Sequence, residues 1–222
     1  MPRSSQRASA RRDSHVLSVR DAERRFGDLL VFTAVDVDVA AGTCCAVTGS
    51  NGAGKSTLLR CLVGADRLDR GTVTIDGSAA DESSPAQRAA VASVLGDVAT
   101  FAHLTAHEHL QLVALAHGMP DPAGVASRTL CDVGLEDASD QLPVTLSSGQ
   151  RHRLALASAF VRPRRLLVLD EPEHHLDAAG RAWLAGRIAD EKARGCAVVL
   201  ASHDPDLVAA VADDTVDADS WR

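Results

Sequence analysis

The stretch Cys44–Gly64, "CCAVTGSNGAGKSTLLRCLVG", decides the fold. "CCAVTG" is a short apolar run ending at Gly49 and reads as a buried strand, and "KSTLLRCLVG" reads as a helix closed by Gly64 at its C-cap. Between them, Gly49 to Ser56 matches G-x-x-x-x-G-K-[ST]. Gly49, Gly52 and Gly54 let backbone N–H groups turn inward around phosphates, and the helix start adds its dipole. Lys55 is a point charge for the terminal phosphate oxygens, and the Ser56 hydroxyl is a ligand for Mg²⁺. Ser50, Asn51, Ala53 and Thr57 complete the loop. A strand before and a helix after separate this motif from a Gly-rich turn that happens to contain Lys.

Upstream, "VLSV" from Val16 and the alternating "LLVFTAVDVDV" from Leu29 read as two strands, the second with Asp36 and Asp38 facing out. Downstream, "TVTIDG" and "AVASVL" read as further strands. A block of helices follows, beginning with "AHEHLQLVALAHG", for which Thr105 and Glu108 form a capping box. A second helix runs from the Pro120/Pro122 break to about Gly134. A third, containing "LSSGQRHRLALASAF", begins after Pro143. "RLLVLD" is wholly apolar before its Asp, as in a strand buried on both faces of a parallel sheet. The helix "AAGRAWLAGRIADEKARG" and the strand "CAVVLAS" come next. The expected fold class is α/β: a mixed sheet core with an antiparallel β part and an inserted helical lobe at approximately residues 97–164. Residues 16–222 form one domain, behind an Arg-rich tail, residues 1–15, that reads as disordered.

Composition narrows the function. A formal charge of −7 argues against nucleic acid as the main partner. Five Cys, scattered and without C-x-x-C spacing, read as reduced, mostly buried thiols. No apolar run approaches the ~20 residues that span a bilayer. The polar start "MPRSSQRASARRDS" has no apolar stretch behind it and does not read as a secretory signal.

Two acidic residues end the "LLVLD" strand, where ligand groups gather in open α/β sheets. Asp170 is placed to hold Mg²⁺ and Glu171 to orient or deprotonate an attacking water. His203, in "LASHD", sits at the same kind of strand end and is a candidate γ-phosphate contact. His103, His107 and His109 straddle a helix start and read as solvated helix surface rather than metal ligands.

"GSNGAGKST", "LSSGQ", "LLVLDEP", the "HLD" of His175 to Asp177, and His203 stand in the order and approximate spacing of ABC-type ATPases. From Val16 to near its end the chain resembles the nucleotide-binding subunit of an ABC transporter. The resemblance implies an ATP-binding, ATP-hydrolysing subunit using ATP and Mg²⁺, with Lys55, Glu171 and His203 catalytic and Ser56 and Asp170 on the metal. It implies a second ATP-binding subunit, expected as a homodimer, in which each ATP lies between one chain's phosphate loop and the other's Ser147, Ser148, Gly149 and Gln150. The same turn can also cap its own helix, and both roles are compatible. Asp177 and its neighbours His174 and His175 match the loop that crosses that interface. Phe26, in "RRFG", matches the aromatic that stacks on adenine, the other reading being a core Phe. One departure stands out: the place of the family's Gln before the helical lobe falls on Gly96, with Asp97 next. Asp97 either replaces it as a Mg²⁺ ligand or lies in a loop that only shapes the permease contact.

The partner implied is an integral membrane permease docked on the helical lobe, with this chain cytoplasmic and held on the inner membrane face through it. At 222 residues there is no room for the appended regulatory domain of many sugar-importing relatives, which leans slightly towards an exporter. Two other classes stay open: a soluble ABC ATPase acting on DNA or ribosomes, and a non-catalytic ATP-gated binding module.

Overall fold

The computed structural model describes residues 15–96 and 100–221. Most of the Arg-rich tail, residues 1–14, and Asp97 therefore lie outside the described residues. The chain opens with two antiparallel strands, β1 (His15–Phe26) and β2 (Leu29–Ala40). They form a four-stranded sheet with β4 (Arg70–Ile75) and β5 (Ser78–Ala79), in the order β2-β1-β4-β5. A second, parallel sheet takes β3 (Cys44–Thr48), β6 (Val91–Val94), β7 (Leu166–Asp170), β8 (Ala197–Ala201) and β9 (Asp214–Asp217), in the order β6-β7-β8-β3-β9.

The apolar runs are continuous because both faces of the parallel sheet are covered. Period-two alternation sorts their side chains into two cores. Cys45, Val47, Leu166, Val168, Ala197, Val199 and Ala201 pack towards the antiparallel sheet and α1 (Lys55–Leu62). Cys44, Ala46, Leu167, Leu169, Val198 and Leu200 pack towards α5 (Ser148–Phe160), α6 (Ala178–Ala193) and α7 (Pro205–Val211). Between α1 and α5 in the chain lie α2 (Pro85–Ala90), α3 (Ala106–Ala116) and α4 (Pro122–Asp132). A third core, around Leu110, Leu130, Leu135 and Leu154, joins α3 and α4 to α5. The helix of "LSSGQ" thus stands in two cores at once.

Capping residues act where the sequence places them. Thr105 and Glu108 form the capping box of α3, and Asp36 and Asp38 point outward from β2. The helix after Pro143 starts later than expected: Pro143–Thr145 is a 3₁₀ turn, and α5 begins at Ser148. β1 outruns "VLSV" by seven residues, Arg20 to Phe26. It lies between β2 and β4, whose backbones pair with it on both sides, and its polar side chains find partners: Arg20 grips Asp38, and Arg25 grips Glu23. All five Cys are free; burial pushes the Cys44, Cys45 and Cys61 thiols up to about 12, which leaves them unreactive.

Candidate active site

Strand β3 ends at Thr48 and hands the chain to the phosphate loop. Gly49, Gly52 and Gly54 all have positive φ, 125°, 78° and 104°, so the loop needs glycine at these positions. The Lys55 ammonium is buried and donates to the carbonyls of Gly49 at 2.7 Å and Ser50 at 3.0 Å. The Ala53 N–H donates to the Ser50 carbonyl at 3.2 Å. Ser50 is anchored outward by its N–H and hydroxyl, both donating to the Asp219 carboxylate. Asn51 is exposed and Thr57 buried.

β7 delivers the acidic pair. Asp170 lies beside Ser56, and its Oδ1 is buried with no hydrogen-bond partner. Burial holds the Asp170 carboxyl above the usual range, with the nearby charge of Glu171 adding to it; Ser56, Arg60 and Lys55 pull the other way. A buried carboxylate oxygen without a partner, next to a hydroxyl, is a donor set that a hard divalent cation satisfies. Mg²⁺ fits these two residues.

Glu171 sits at φ 47°, with its N–H donating to Ala201 on β8 at 2.9 Å. His203 Nδ1 is 3.5 Å from Glu171 Oε1, so the two strand ends bring together the residues the sequence paired only by analogy of position. On the other carboxylate oxygen stands His174, its Nδ1 3.8 Å from Oε2. Sequence reasoning placed His174 in an interface loop and missed this contact. The i to i+3 spacing from Glu171, in a turn after a strand, was the available signal.

A cleft of about 560 Å³ gathers Ser56, Asp170, Glu171, His174, Gly96 and, from the far side, Ser148. Ser147 is the N-cap of α5: its hydroxyl accepts the Gln150 N–H at 3.2 Å, and the Gln150 side chain accepts the Ser147 N–H at 2.9 Å. Both side chains are thereby engaged in the cap. The helix start leaves the Ser148 and Gly149 N–H groups without intrahelical acceptors. A Cβ on Gly149 would approach the His175 carbonyl at 3.2 Å, so the turn packs directly on the loop after β7. Asp177 caps α6 by accepting the Gly180 N–H at 2.8 Å. Within this chain it does not join the cleft.

Phe26 is 50% exposed at the end of β1 with the Arg24 guanidinium 4.5 Å from its ring centre, which removes the core reading. Gly96 has φ 64° and open space around it. One histidine departs from expectation. His109 is 2% exposed, not solvated: Ser158 donates its own hydroxyl to Leu154, so it accepts the His109 Nε2–H at 2.8 Å. Its ring packs 5.5 Å from Phe101, because this side of α3 faces α5.

Comparison with known proteins shows the family. The ABC transporter family model matches residues 32–174. The chain is 36% identical over 206 residues to the sulfate/thiosulfate import ATP-binding protein of Mycobacterium tuberculosis, covering 90% of this chain and 58% of that protein. It therefore spans rather more than half the length of that relative. It is 33% identical over 177 residues to the SkfA peptide export ATP-binding protein of Bacillus subtilis, covering 79% of this chain and 73% of that one. A solved ATP-binding subunit of an ABC transporter superposes with a TM-score of 0.82 at 28% identity, over 91% of this chain and 85% of that one. Because the family model matches well over half of the chain, the chain belongs to the ABC transporter family.

Proposed function

We propose that the chain is an ATP-hydrolysing subunit that pairs head to tail with a second ATP-binding subunit and drives a separate membrane permease. One observation carries the reading: Glu171 stands at the end of a buried strand beside Asp170 and 3.5 Å from His203, in a cleft shared with Ser56. A carboxylate so situated, beside groups suited to a nucleoside triphosphate, supports reading Glu171 as the group that orients the water. In this reading Lys55 and the loop N–H groups bind the β- and γ-phosphates. Phe26 stacks on the base, Glu171 takes the proton of the attacking water, and His203 contacts the γ-phosphate. Ser56 and Asp170 would hold Mg²⁺, which when bound neutralises charge on the phosphate oxygens. The free N–H groups at Ser148 and Gly149 serve the partner's ATP, with Ser147 and Gln150 fixing the turn and Asp177 at the interface. The helical lobe, expected at approximately residues 97–164, is the docking face for the permease, which holds the chain at the inner membrane surface. Among the described residues no helix is long and apolar enough to cross a membrane, which accords with a separate permease. The exporter expectation gains no support, since the relatives' names include both import and export proteins.

Complementation tests the trans arrangement. Ser147→Arg fills the space of the partner's γ-phosphate and Lys55→Ala empties the chain's own loop. Each homodimer should be inactive. Their mixture contains heterodimers with one intact composite site and should regain ATP turnover. Ser147→Ala controls for the lost cap, worth ~1 kcal/mol. A mixture that neither dimerises with ATP nor hydrolyses it overturns the arrangement.

A further inference from the structure

Glu173 lies two residues past Glu171, and Ser202 immediately precedes His203. Glu173 is 7% exposed and Ser202 0% exposed. The Ser202 hydroxyl donates to Glu173 Oε1 at 2.5 Å and accepts the Asp204 N–H at 3.0 Å. The Ser202 N–H donates to Val47 on β3, at 3.2 Å, just before the phosphate loop. Ser202 therefore fastens together the ends of three strands, those leading to the phosphate loop, to Glu171 and to His203. Glu173 Oε2 is buried and has no hydrogen-bond partner. A buried carboxyl that is only half satisfied opposes stability, and a leucine would fill such a site at less cost. Its presence calls for another reason.

We propose that Glu173 is a positioning residue for hydrolysis, holding the His203 loop against the Glu171 loop through Ser202; this rests on the function proposed above. The two loops are tied twice, by the Glu171 N–H to Ala201 carbonyl at 2.9 Å and by the Glu173–Ser202 side-chain bond. His203 sits one residue beyond the second tie and 3.5 Å from Glu171 Oε1. Ser202, by accepting the Asp204 N–H, also closes a turn around His203, so the imidazole has a fixed base on both sides. Without the Glu173 tie the His203 loop is held against β7 by one backbone bond, and the imidazole's distance to Glu171 loosens. A displacement on the order of 1 Å can cost ~10²-fold in rate.

The test replaces both partners with apolar groups, so that neither side chain leaves the other's polar atom orphaned; Glu173→Leu alone, which leaves the Ser202 hydroxyl on the Asp204 N–H, should lower kcat likewise and controls for the turn that Ser202 also closes. Glu173→Leu combined with Ser202→Ala should keep the thermal midpoint and the ATP dissociation constant while lowering kcat about ten- to a hundred-fold. Glu173→Gln and Ser202→Thr, which retain an acceptor and a hydroxyl, should keep most of kcat. Wild-type kcat in the double variant overturns the proposal. So does a loss of kcat that comes with an equal loss in both conservative variants. If the double variant does not fold, Ser202→Ala against Ser202→Thr carries the same comparison. A second readout is independent of turnover: the chemical shift of the His203 ring protons followed by NMR at fixed pH, assigned with His203→Ala. It should change in the double variant and not in Glu173→Gln. If wild-type protein hydrolyses no ATP, the proposed function fails, yet the NMR comparison still decides whether Glu173 positions His203. An unchanged His203 ring chemical shift in the double variant overturns the positioning role.

Discussion

Gly54 and Gly52 offer a matched pair of substitutions within one loop. Both have positive φ, 104° and 78°, and an alanine in the left-handed region costs ~1–2 kcal/mol. They differ in surroundings. A Cβ on Gly54 would stand 2.7 Å from Val31 Cγ1 and 3.6 Å from Phe32 Cδ1, whereas nothing lies within 4 Å of a Cβ on Gly52. Val31 and Phe32 are buried in the core beneath the loop, and a β-branched valine on a strand has little rotamer freedom with which to move aside. Overpacking of this kind adds ~1–3 kcal/mol. Gly54→Ala should therefore lose roughly 2–5 kcal/mol, the sum of the left-handed and overpacking costs, and Gly52→Ala only ~1–2 kcal/mol. Urea unfolding without nucleotide reads the difference as a shift in midpoint at constant slope. Thermal melts with ATP add a second measure, because saturating ligand at a hundred times its dissociation constant stabilises by ~2.7 kcal/mol. Gly54 is also the N-cap of α1, so shifting it moves Lys55 and Ser56. Its variant should lose that ligand shift as well. Equal destabilisation in the two variants would refute the packing of the loop on β2.

Glu171→Gln should lower ATP turnover ~10²–10⁴-fold with ATP binding retained, measured by phosphate release and by equilibrium binding; wild-type turnover would remove Glu171 from the reaction. Phe26→Ala should weaken ATP and GTP alike by about 1 kcal/mol, since stacking tolerates either base; unchanged affinity for both in calorimetry would sink the stacking role. His109→Gln should flatten the acid limb of the stability profile. Burial holds His109 below the ordinary imidazole range, so the unfolded chain takes up the proton first as pH falls. That contribution is fully present above the unfolded value, ~6.5, and is lost as pH drops towards the lower folded value. Denaturation midpoints at matched pH for wild type and variant check it, and parallel profiles count against it.

The parts of the molecule legible in the sequence are those whose chemistry is local. The phosphate loop needs glycine at three positive-φ positions, and the strands β7 and β8 announce two-sided burial by having no polar residue before their ends. The Thr105–Glu108 cap is likewise written within four residues. Long-range packing decided what was missed. Arg20–Phe26 continues as strand because β2 pairs with it as far as Phe26 and β4 as far as Glu23, and its own pattern is too polar to say so. His109 is buried by α5, whose Ser158 is 49 residues away. The Glu173–Ser202 bond spans 29 residues and joins two strand ends whose spacing only the sheet order sets. α7 and β9 are short: α7 buries only Leu207 and Val211 and β9 has no buried residue, too few positions to set a readable period.

The geometry at Glu171 shows how the core supplies what the site needs. A non-glycine residue held at positive φ costs ~1–3 kcal/mol, and Glu171 adopts φ 47° one residue beyond the buried run Leu166–Leu169, after Asp170. Pro172 follows, and its ring disfavours the right-handed helical region for the residue before it, which opposes relaxation into a helical turn there. The Glu171 N–H is fixed to Ala201 and its carbonyl accepts the His174 N–H at 3.0 Å, which closes the turn around the strain. Reversal at that point sends successive side chains in different directions. Glu171 goes to the cleft, flanked by His203 and His174, and Glu173 goes inward to Ser202. A relaxed backbone at Glu171 would let the carboxylate follow the strand direction away from Ser56 and the phosphate loop. Four leucine and valine side chains buried in β7, each contributing roughly 1.5–3 kcal/mol, hold the strand end in place against that relaxation. The apolar run that reads in the sequence only as a buried strand is thus also the support on which the strained carboxylate is aimed.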